Sequence, residues 1–200
     1  MPDIQTHRRR SFLIALSAAP LAAIAQDTAA QTEVPVFARR AQVAGSDLVL
    51  NGTGLRAVAW FTGYAAGLYL PSRASGAAQA LAMEGPKRLQ LRMLQEVPAD
   101  EFVKAFRKGM QRNTTAADLP QLALRMDRFA ALISAVGKVR KGDVINLDLE
   151  PGRGTSFSLN GTPLGAPIAG DDFFAALLRS FIGERPYDEK LKAGLLGHGA

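Results

Sequence analysis

The sequence has 200 residues, 48% of them hydrophobic, and a formal net charge of +6, which suits a single domain with a sizeable core. It contains no cysteine and only two histidines, His7 and His198. These counts exclude disulfides, Cys-His and Ser-His-Asp nucleophiles, and zinc, haem or iron-sulfur sites with their usual ligands. We therefore expect neither a metal nor another cofactor.

Residues 1–25 have the pattern of an export signal. Arginines at 8–10 form a charged region, an apolar stretch covers 12–25, and Ala-Ile-Ala at 23–25 resembles a cleavage site. The segment RRSFL at 9–13 also fits twin-arginine export. The apolar stretch is shorter than the ~20 residues that span a bilayer. The sequence therefore predicts a periplasmic protein, cleaved near Ala25, with no stable membrane insertion afterwards.

Residues 26–33 are rich in Ala, Thr and Gln and are predicted to form a flexible leader before one domain at 34–200. Removing residues 1–25 takes away three arginines and one aspartate, so the net charge falls from +6 to +4. No basic run alternates with aromatic residues, so nucleic-acid binding is not expected. We expect the domain to be a monomer.

The first predicted strands lie at 34–43 and 48–51, with a polar turn between them. Asn51-Gly52 is the dipeptide that most readily takes positive φ at both centres of a tight turn, and it predicts a hairpin there. The motif LNGT, which contains this dipeptide, recurs at 159–162. We interpret the recurrence as the same turn chemistry used twice.

A predicted strand at 55–62 carries Arg56 on the same face as Val58 and Trp60. An arginine between apolar neighbours suggests a partly desolvated charge that needs an anionic partner. The alternative is an edge-strand arginine whose stem lies over Trp60 while its guanidinium stays in water. The next strand, 64–70, has small residues that leave space for a packed helix or for a ligand.

The later pattern alternates helices and strands. Phe102, Phe106 and Met110 recur every four residues, which predicts the core-facing stripe of a helix. The remaining elements are predicted as helices at 74–83, 99–110, 118–137, 171–183 and 188–196 and strands at 87–94, 141–150 and 155–160. Apolar helices on an antiparallel sheet give an α+β fold with the helices layered on one face.

Three ordered blocks stand out along the chain: GTGLR at 52–56, YAAGLYLP at 64–71 and GDVINLDLEPGRGT at 142–155. The first two resemble the GxGxR…GxYL signature of the chalcone isomerase-like superfamily, and the third fits the secreted bacterial branch of that superfamily as well. The similarity covers about residues 41–197. The superfamily includes plant chalcone isomerases and plastid fatty-acid-binding proteins. The resemblance implies an open-faced β-sandwich with a ligand cleft between sheet and helices.

The resemblance also allows the isomerase site to be carried over by position. Only the strand arginine is retained, as Arg56. The family's threonine falls on Tyr64, and its tyrosine falls on Phe102. Its asparagine falls near Gly109, with Asn113 one turn further. Its final Ser/Thr falls on Asp172-Phe173. Losing several oriented donors costs orders of magnitude in rate, since one is typically worth about 10²–10³. We therefore expect no chalcone isomerase activity.

The fatty-acid-binding members imply a different role, in which an arginine and a tyrosine bind a carboxylate and the alkyl tail lies in an apolar cleft. The ligand-binding residues are then predicted to be Arg56, Tyr64, Tyr69, Trp60, Phe102, Phe106 and Asn113.

Two alternatives stay open. One is an isomerase or lyase that acts on an unknown substrate through Arg56 and Tyr64. The other is a ligand-free structural or interaction protein of the periplasm in which Arg56 pairs with an internal carboxylate such as Asp148 or Glu150.

Overall fold

A computed structural model describes residues 35–58 and 61–198 of the chain. The predicted export signal, the predicted leader and Trp60 lie outside these residues. Nine strands are described: β1 (Arg40–Val43), β2 (Ser46–Val58), β3 (Phe61–Leu70), β4 (Lys87–Met93), β5 (Val97–Pro98), β6 (Lys138–Val139), β7 (Val144–Glu150), β8 (Gly154–Leu159) and β9 (Thr162–Pro163). The five described helices are α1 (Ala77–Ala82), α2 (Ala99–Asn113), α3 (Leu119–Ser134), α4 (Asp171–Ile182) and α5 (Glu189–Leu195).

Seven strands form one curled antiparallel sheet in the order β1-β2-β3-β4-β7-β8-β9, and β5 and β6 form a separate pair. The first four strands are neighbours in chain order and pair antiparallel. The strand predicted at 87–94 is present as β4, in which the alternate residues Leu89, Leu91 and Met93 are buried. The predicted α+β class is therefore correct.

The main core lies between this sheet and the helices. Each of the five helices contributes buried apolar residues to it, among them Phe106 of α2, Phe129 of α3 and Phe173 of α4. A smaller core covers the opposite face near β1 and contains Phe37, Leu48 and Tyr69. Alternation along β3 explains the division, since successive side chains point to opposite faces of a sheet.

Asn51-Gly52 does not form the predicted hairpin turn. The dipeptide lies inside the single strand β2, at a register shift between Leu50 and Gly52 in the pairing with β3. The side chain of Asn51 is buried, donates to the Leu195 carbonyl oxygen at 2.8 Å and accepts from the Ala74 backbone N–H at 2.7 Å. The second Asn-Gly, at 160–161, does form a turn with positive φ at both residues, so the prediction of one shared turn chemistry was wrong.

The predicted strand at 55–62 is also wrong in its extent. β2 ends at Val58 and β3 begins at Phe61, and the two strands pair antiparallel instead of forming one strand. Arg56 nevertheless remains in a strand, directly opposite Tyr64. Among the described helices, none has the length and apolar character needed to cross a membrane.

The close approach of β2 to α5 yields a prediction for Gly52→Ala. A Cβ at Gly52 would overlap the Gly194 carbonyl oxygen and lie 2.8 Å from the Leu195 carbonyl oxygen. We expect the substitution to lower the free energy of unfolding by about 1–3 kcal/mol, the usual cost of overpacking, as measured by chemical denaturation. Gly76→Ala is the control, because a Cβ there has nothing within 4 Å. Equal stability of the two variants would contradict the prediction.

Candidate functional site

An apolar cavity of about 290 Å³ lies between the sheet and helices α2, α3 and α4. Its polar lining residues are Arg56, Tyr64, Tyr187 and Glu101. The rest of the wall is formed by Gly63, Leu91, Val97, Ala99, Phe102, Ala105, Phe106, Phe129, Ile133, Val136, Val139, Ile145, Leu147, Phe157, Leu177 and Phe181. Such a composition, apolar with a few convergent polar groups, is typical of small-molecule sites.

The polar end of the cavity is built around Arg56. Pairing of β2 with β3 sets Arg56 opposite Tyr64, and both side chains face the helices. The Arg56 Nη1 atom lies 3.4 Å from Oδ2 of Asp188, and the side chains of this pair are 27% and 17% exposed. This single long contact leaves most of the five guanidinium N–H donors available, since a bidentate pair would use shorter, parallel bonds.

The internal partner of Arg56 is thus neither of the predicted carboxylates. Asp148 accepts from Arg88 Nε at 2.7 Å and Nη2 at 2.6 Å, and Glu150 accepts from Ser156 and Arg153. Both carboxylates alternate with the buried Leu147 and Leu149 of β7, so they point to the face opposite the helices. That geometry prevents either of them from reaching Arg56.

Asp188 is held in place by the start of α5. Its Oδ1 atom accepts from the backbone N–H groups of Lys190 at 2.8 Å and Leu191 at 3.0 Å, which makes it the N-cap of the helix. The other oxygen, Oδ2, is the one near Arg56. One carboxylate therefore both begins α5 and supplies a weak counter-ion to the cavity arginine.

Two tyrosine rings complete the polar end. Tyr64 lies parallel to Phe102, with ring centroids 6.4 Å apart, and Tyr187 packs edge-on against Phe181 at 4.9 Å. The Tyr187 hydroxyl lies against Gly109 in α2, where any Cβ would overlap it. Glycine at position 109 therefore provides the room for this ring.

Burial keeps both phenols in their neutral form. Desolvation raises the pKa of Tyr187 to about 12. It also raises the pKa of Tyr64 well above its ordinary value, although the nearby Arg56 charge acts in the opposite direction. At neutral pH these hydroxyls are therefore hydrogen-bond donors and not bases.

The structure brings together only part of the predicted ligand-binding set. Arg56, Tyr64, Phe102 and Phe106 all line the cavity. Tyr69 does not, because it lies on the opposite face of β3, where it is buried in the smaller core beside Phe37. Trp60 lies outside the described residues.

Asn113 is also absent from the cavity wall. It is the last residue of α2, and its side-chain amide donates to the carbonyl oxygens of Gly109 at 3.0 Å and Arg185 at 2.8 Å. Its Oδ1 atom accepts from the Arg185 N–H at 3.2 Å. These bonds connect α2 to the segment after α4, so the structure does not bring Asn113 together with Arg56 at the cavity.

Sequence reasoning missed Tyr187 and Asp188. A usable signal was Gly109, because a glycine inside an amphipathic helix often marks a close approach by another group. The position onto which the family's last Ser/Thr falls supplies no hydroxyl to the cavity. Asp172 pairs with Arg125 at the surface, and Phe173 is buried in the core.

The comparisons with known proteins agree with this fold. A sequence model described as chalcone isomerase-like matches residues 29–197. The crystal structure of a fatty-acid-binding protein of Arabidopsis thaliana is similar, with a TM-score of 0.62, 17% sequence identity, and coverage of 80% of this chain and 90% of the plant chain. No curated protein matches the sequence.

The raised phenol pKa values predict how stability depends on pH. The unfolded chain ionises its tyrosines near pH 10, whereas the folded protein holds these protons to higher pH, so the unfolded state binds fewer protons in that window. The tyrosines should therefore have no effect on the free energy of unfolding below about pH 10 and should lower it as pH rises from 10 towards 12. Urea denaturation measured across this range tests the effect. Phenolate absorbance of the folded protein below pH 10 would contradict it.

Proposed function

The chain belongs to the chalcone isomerase-like family, and we propose that it binds a small carboxylate with an apolar tail, such as a fatty acid, between sheet and helices. The main support is the cavity itself, in which an incompletely paired Arg56 faces a wall that is otherwise almost entirely apolar. The similar plant protein is a fatty-acid-binding protein, which is consistent with this ligand class.

The carboxylate is proposed to bind at Arg56. A guanidinium offers a planar fork that matches a carboxylate in two parallel hydrogen bonds, and such charge-assisted pairs are roughly twice as strong as neutral ones. Tyr64 and Tyr187 line the same cavity, and their neutral hydroxyls can donate hydrogen bonds to the carboxylate oxygens of the ligand. The three groups together form the proposed carboxylate site.

The tail is proposed to lie along the apolar wall formed by α2, α3 and the strands β4, β7 and β8. The cavity volume of about 290 Å³ lies near the lower end of the roughly 300–1,000 Å³ range of small-ligand sites. Each methylene transferred from water to this wall should contribute about 0.8 kcal/mol until the cavity is full. A short or medium tail therefore suits the cavity better than a long one.

Two observations favour binding over catalysis. Phe102 lines the cavity without a hydroxyl, and burial raises the pKa of both cavity phenols further above neutral pH, so neither is present as a phenolate base. We therefore propose that the protein lacks chalcone isomerase activity. An isomerase or lyase on another substrate is the second candidate, because Tyr64, Tyr187 and Arg56 could stabilise a developing oxyanion as donors.

We further propose that the protein is exported to the periplasm through the signal at residues 1–25 and acts there as a monomer. The charged, apolar and small-x-small regions of that segment support this location. Expression of the full chain in a Gram-negative host should yield a periplasmic protein that begins at Gln26, as measured by N-terminal sequencing after osmotic shock. Recovery of the uncleaved chain in the cytoplasm would contradict the proposal.

The carboxylate site predicts a specific response to substitution of Arg56. Titration calorimetry with saturated fatty acids of increasing length should show affinity rising about fourfold per methylene and then levelling off. Arg56→Ala should weaken binding by about 2–5 kcal/mol, the usual cost of truncating one partner of a buried charge pair. Arg56→Lys should restore little, because an ammonium cannot form the bidentate pair.

Arg88→Ala is the matched control, since Arg88 is also a strand arginine but forms its bidentate pair with Asp148 on the opposite face. It should lower stability without changing ligand affinity. Affinity that is insensitive to Arg56, or equally sensitive to Arg88, would contradict the proposed site. A fatty alcohol that binds as tightly as the matching acid would do the same.

The position of Asp188 predicts that it competes with the ligand for Arg56. Asp188→Asn keeps an N-cap acceptor for α5, since Asn and Asp cap equally well, but removes the negative charge. We expect the affinity for a fatty acid to increase about 1.4- to fivefold, which corresponds to the ~0.2–1 kcal/mol of a partly exposed ion pair.

Asp172→Asn is the control for charge, because Asp172 pairs with Arg125 away from the cavity. It should leave the affinity unchanged in the same titration. Weaker binding in Asp188→Asn would show that Asp188 supports the carboxylate site and does not compete with it.

A further inference from the structure

A second pocket, which we call the basic pocket, lies on another side of the helical layer. It has a volume of about 610 Å³ and is bounded by α1, the end of α2, the end of α4 and α5. The residues that line it are Ala77, Ala78, Leu81, Arg112, Asn113, Thr114, Thr115, Arg179, Gly183, Glu184, Arg185 and Lys192. It shares no residue with the apolar cavity.

The charge of the basic pocket is unbalanced. Four cations, from Arg112, Arg179, Arg185 and Lys192, line it together with a single carboxylate, that of Glu184. Within the part of the chain that the structure describes, none of the three arginines forms an ion pair. A concave surface lined by one sign of charge attracts counter-ions.

The helix ends explain only part of this cluster. Arg112, Arg179 and Lys192 lie in the last turns of α2, α4 and α5, where a cation interacts favourably with the helix dipole. Arg185 follows α4 and has no such role. Helix ends account for three of these cations one by one, but not for their meeting with Arg185 around one pocket.

The frame of the pocket is held by hydrogen bonds that leave the three arginine side chains available. Asn113 binds the backbone of Arg185 in both directions. The Lys192 ammonium donates to the Gly183 carbonyl oxygen at 2.8 Å and lies 3.9 Å from the Glu189 carboxylate. Among the described residues, the guanidinium groups of Arg112, Arg179 and Arg185 take no part in these contacts.

We propose that the basic pocket binds the phosphate group of a ligand. A single carboxylate is satisfied by one arginine fork, whereas a phosphate presents several charged oxygens that can accept from several cations together. The group belongs either to a soluble phosphate monoester or to the headgroup of an anionic phospholipid. The inference is independent of the carboxylate site, because neither its residues nor its ligand are shared.

The test uses the full chain and two probes, glycerol phosphate and vesicles of phosphatidic acid in phosphatidylcholine. Titration calorimetry measures the affinity for glycerol phosphate. The ionic strength is kept constant by replacing chloride with the phosphate ester. Flotation with the mixed vesicles, against vesicles of phosphatidylcholine alone, measures the headgroup. Saturable binding of either probe is expected and identifies the source of the phosphate.

The deciding comparison is between two double variants that remove the same charge. Arg179→Gln with Arg185→Gln should weaken binding about tenfold or more, as expected when charged donors are lost. Lys108→Gln with Arg128→Gln is the control, because both side chains are exposed and neither lines the basic pocket. The control should bind like the unmodified chain.

Thermal melting without phosphate checks that both variants are folded, and Arg112→Gln alone replaces the pocket variant if the double substitution unfolds the protein. If both double variants lose binding to a similar extent, the net charge of the protein explains the binding, and the proposal is overturned. Failure of the unmodified chain to bind either probe would overturn it as well. Neither result would bear on fatty-acid binding at Arg56, which is measured with a different probe.

Discussion

The contact between β2 and α5 is the constraint on which the site depends. A Cβ at Gly54 would lie 2.7 Å from the Leu191 carbonyl oxygen, and one at Gly194 would lie 2.9 Å from the Gly54 Cα atom, so the two backbones meet without side chains between them. Asn51 joins this contact to the start of the α1 region by two buried hydrogen bonds. Because α5 is held against β2, its N-cap Asp188 is held near Arg56 on the same strand.

The division of charges between the two faces of the sheet follows from strand alternation. On the outer face, Arg88 and Asp148 are directly opposite each other in β4 and β7 and form a complete bidentate pair. On the helical face, the one ion pair that Arg56 forms with a described residue is the long contact with Asp188. A charge that is fully paired stabilises the fold, whereas one that is incompletely paired beside an apolar cavity is suited to a ligand.

Binding and stability also make different demands on the residues of the cavity. Filling the space with larger side chains would add buried apolar area, yet the wall keeps a volume of about 290 Å³ beside the packed rings of Phe106, Phe129 and Phe157. Tyr187 reaches this space only because Gly109 lacks a side chain. A glycine inside a helix destabilises that helix by about 1 kcal/mol relative to alanine.

Local patterns in the sequence determined most of the helices and strands and which face of each is buried. Alternation in β4 and β7 and the four-residue repeat of Phe102, Phe106 and Met110 identify buried faces, because burial is set by periodicity within one element. The helical repeat accordingly puts Phe102 and Phe106 on the face that lines the cavity, whereas the assignment of Arg56 and Tyr64 to a ligand cleft came from the family resemblance. The family resemblance added the arrangement of sheet and helices.

Tertiary structure alone decided the contacts between distant elements. The two Asn-Gly dipeptides are identical, yet one forms a turn and the other a register shift, because only Asn51 has Leu195 and Ala74 within hydrogen-bonding distance. The partner of Arg56 lies 132 residues away in the chain, and nothing in the local sequence indicates it. Such pairs depend on how α5 packs against β2. Packing between two elements depends on the whole chain and not on the periodicity of either element.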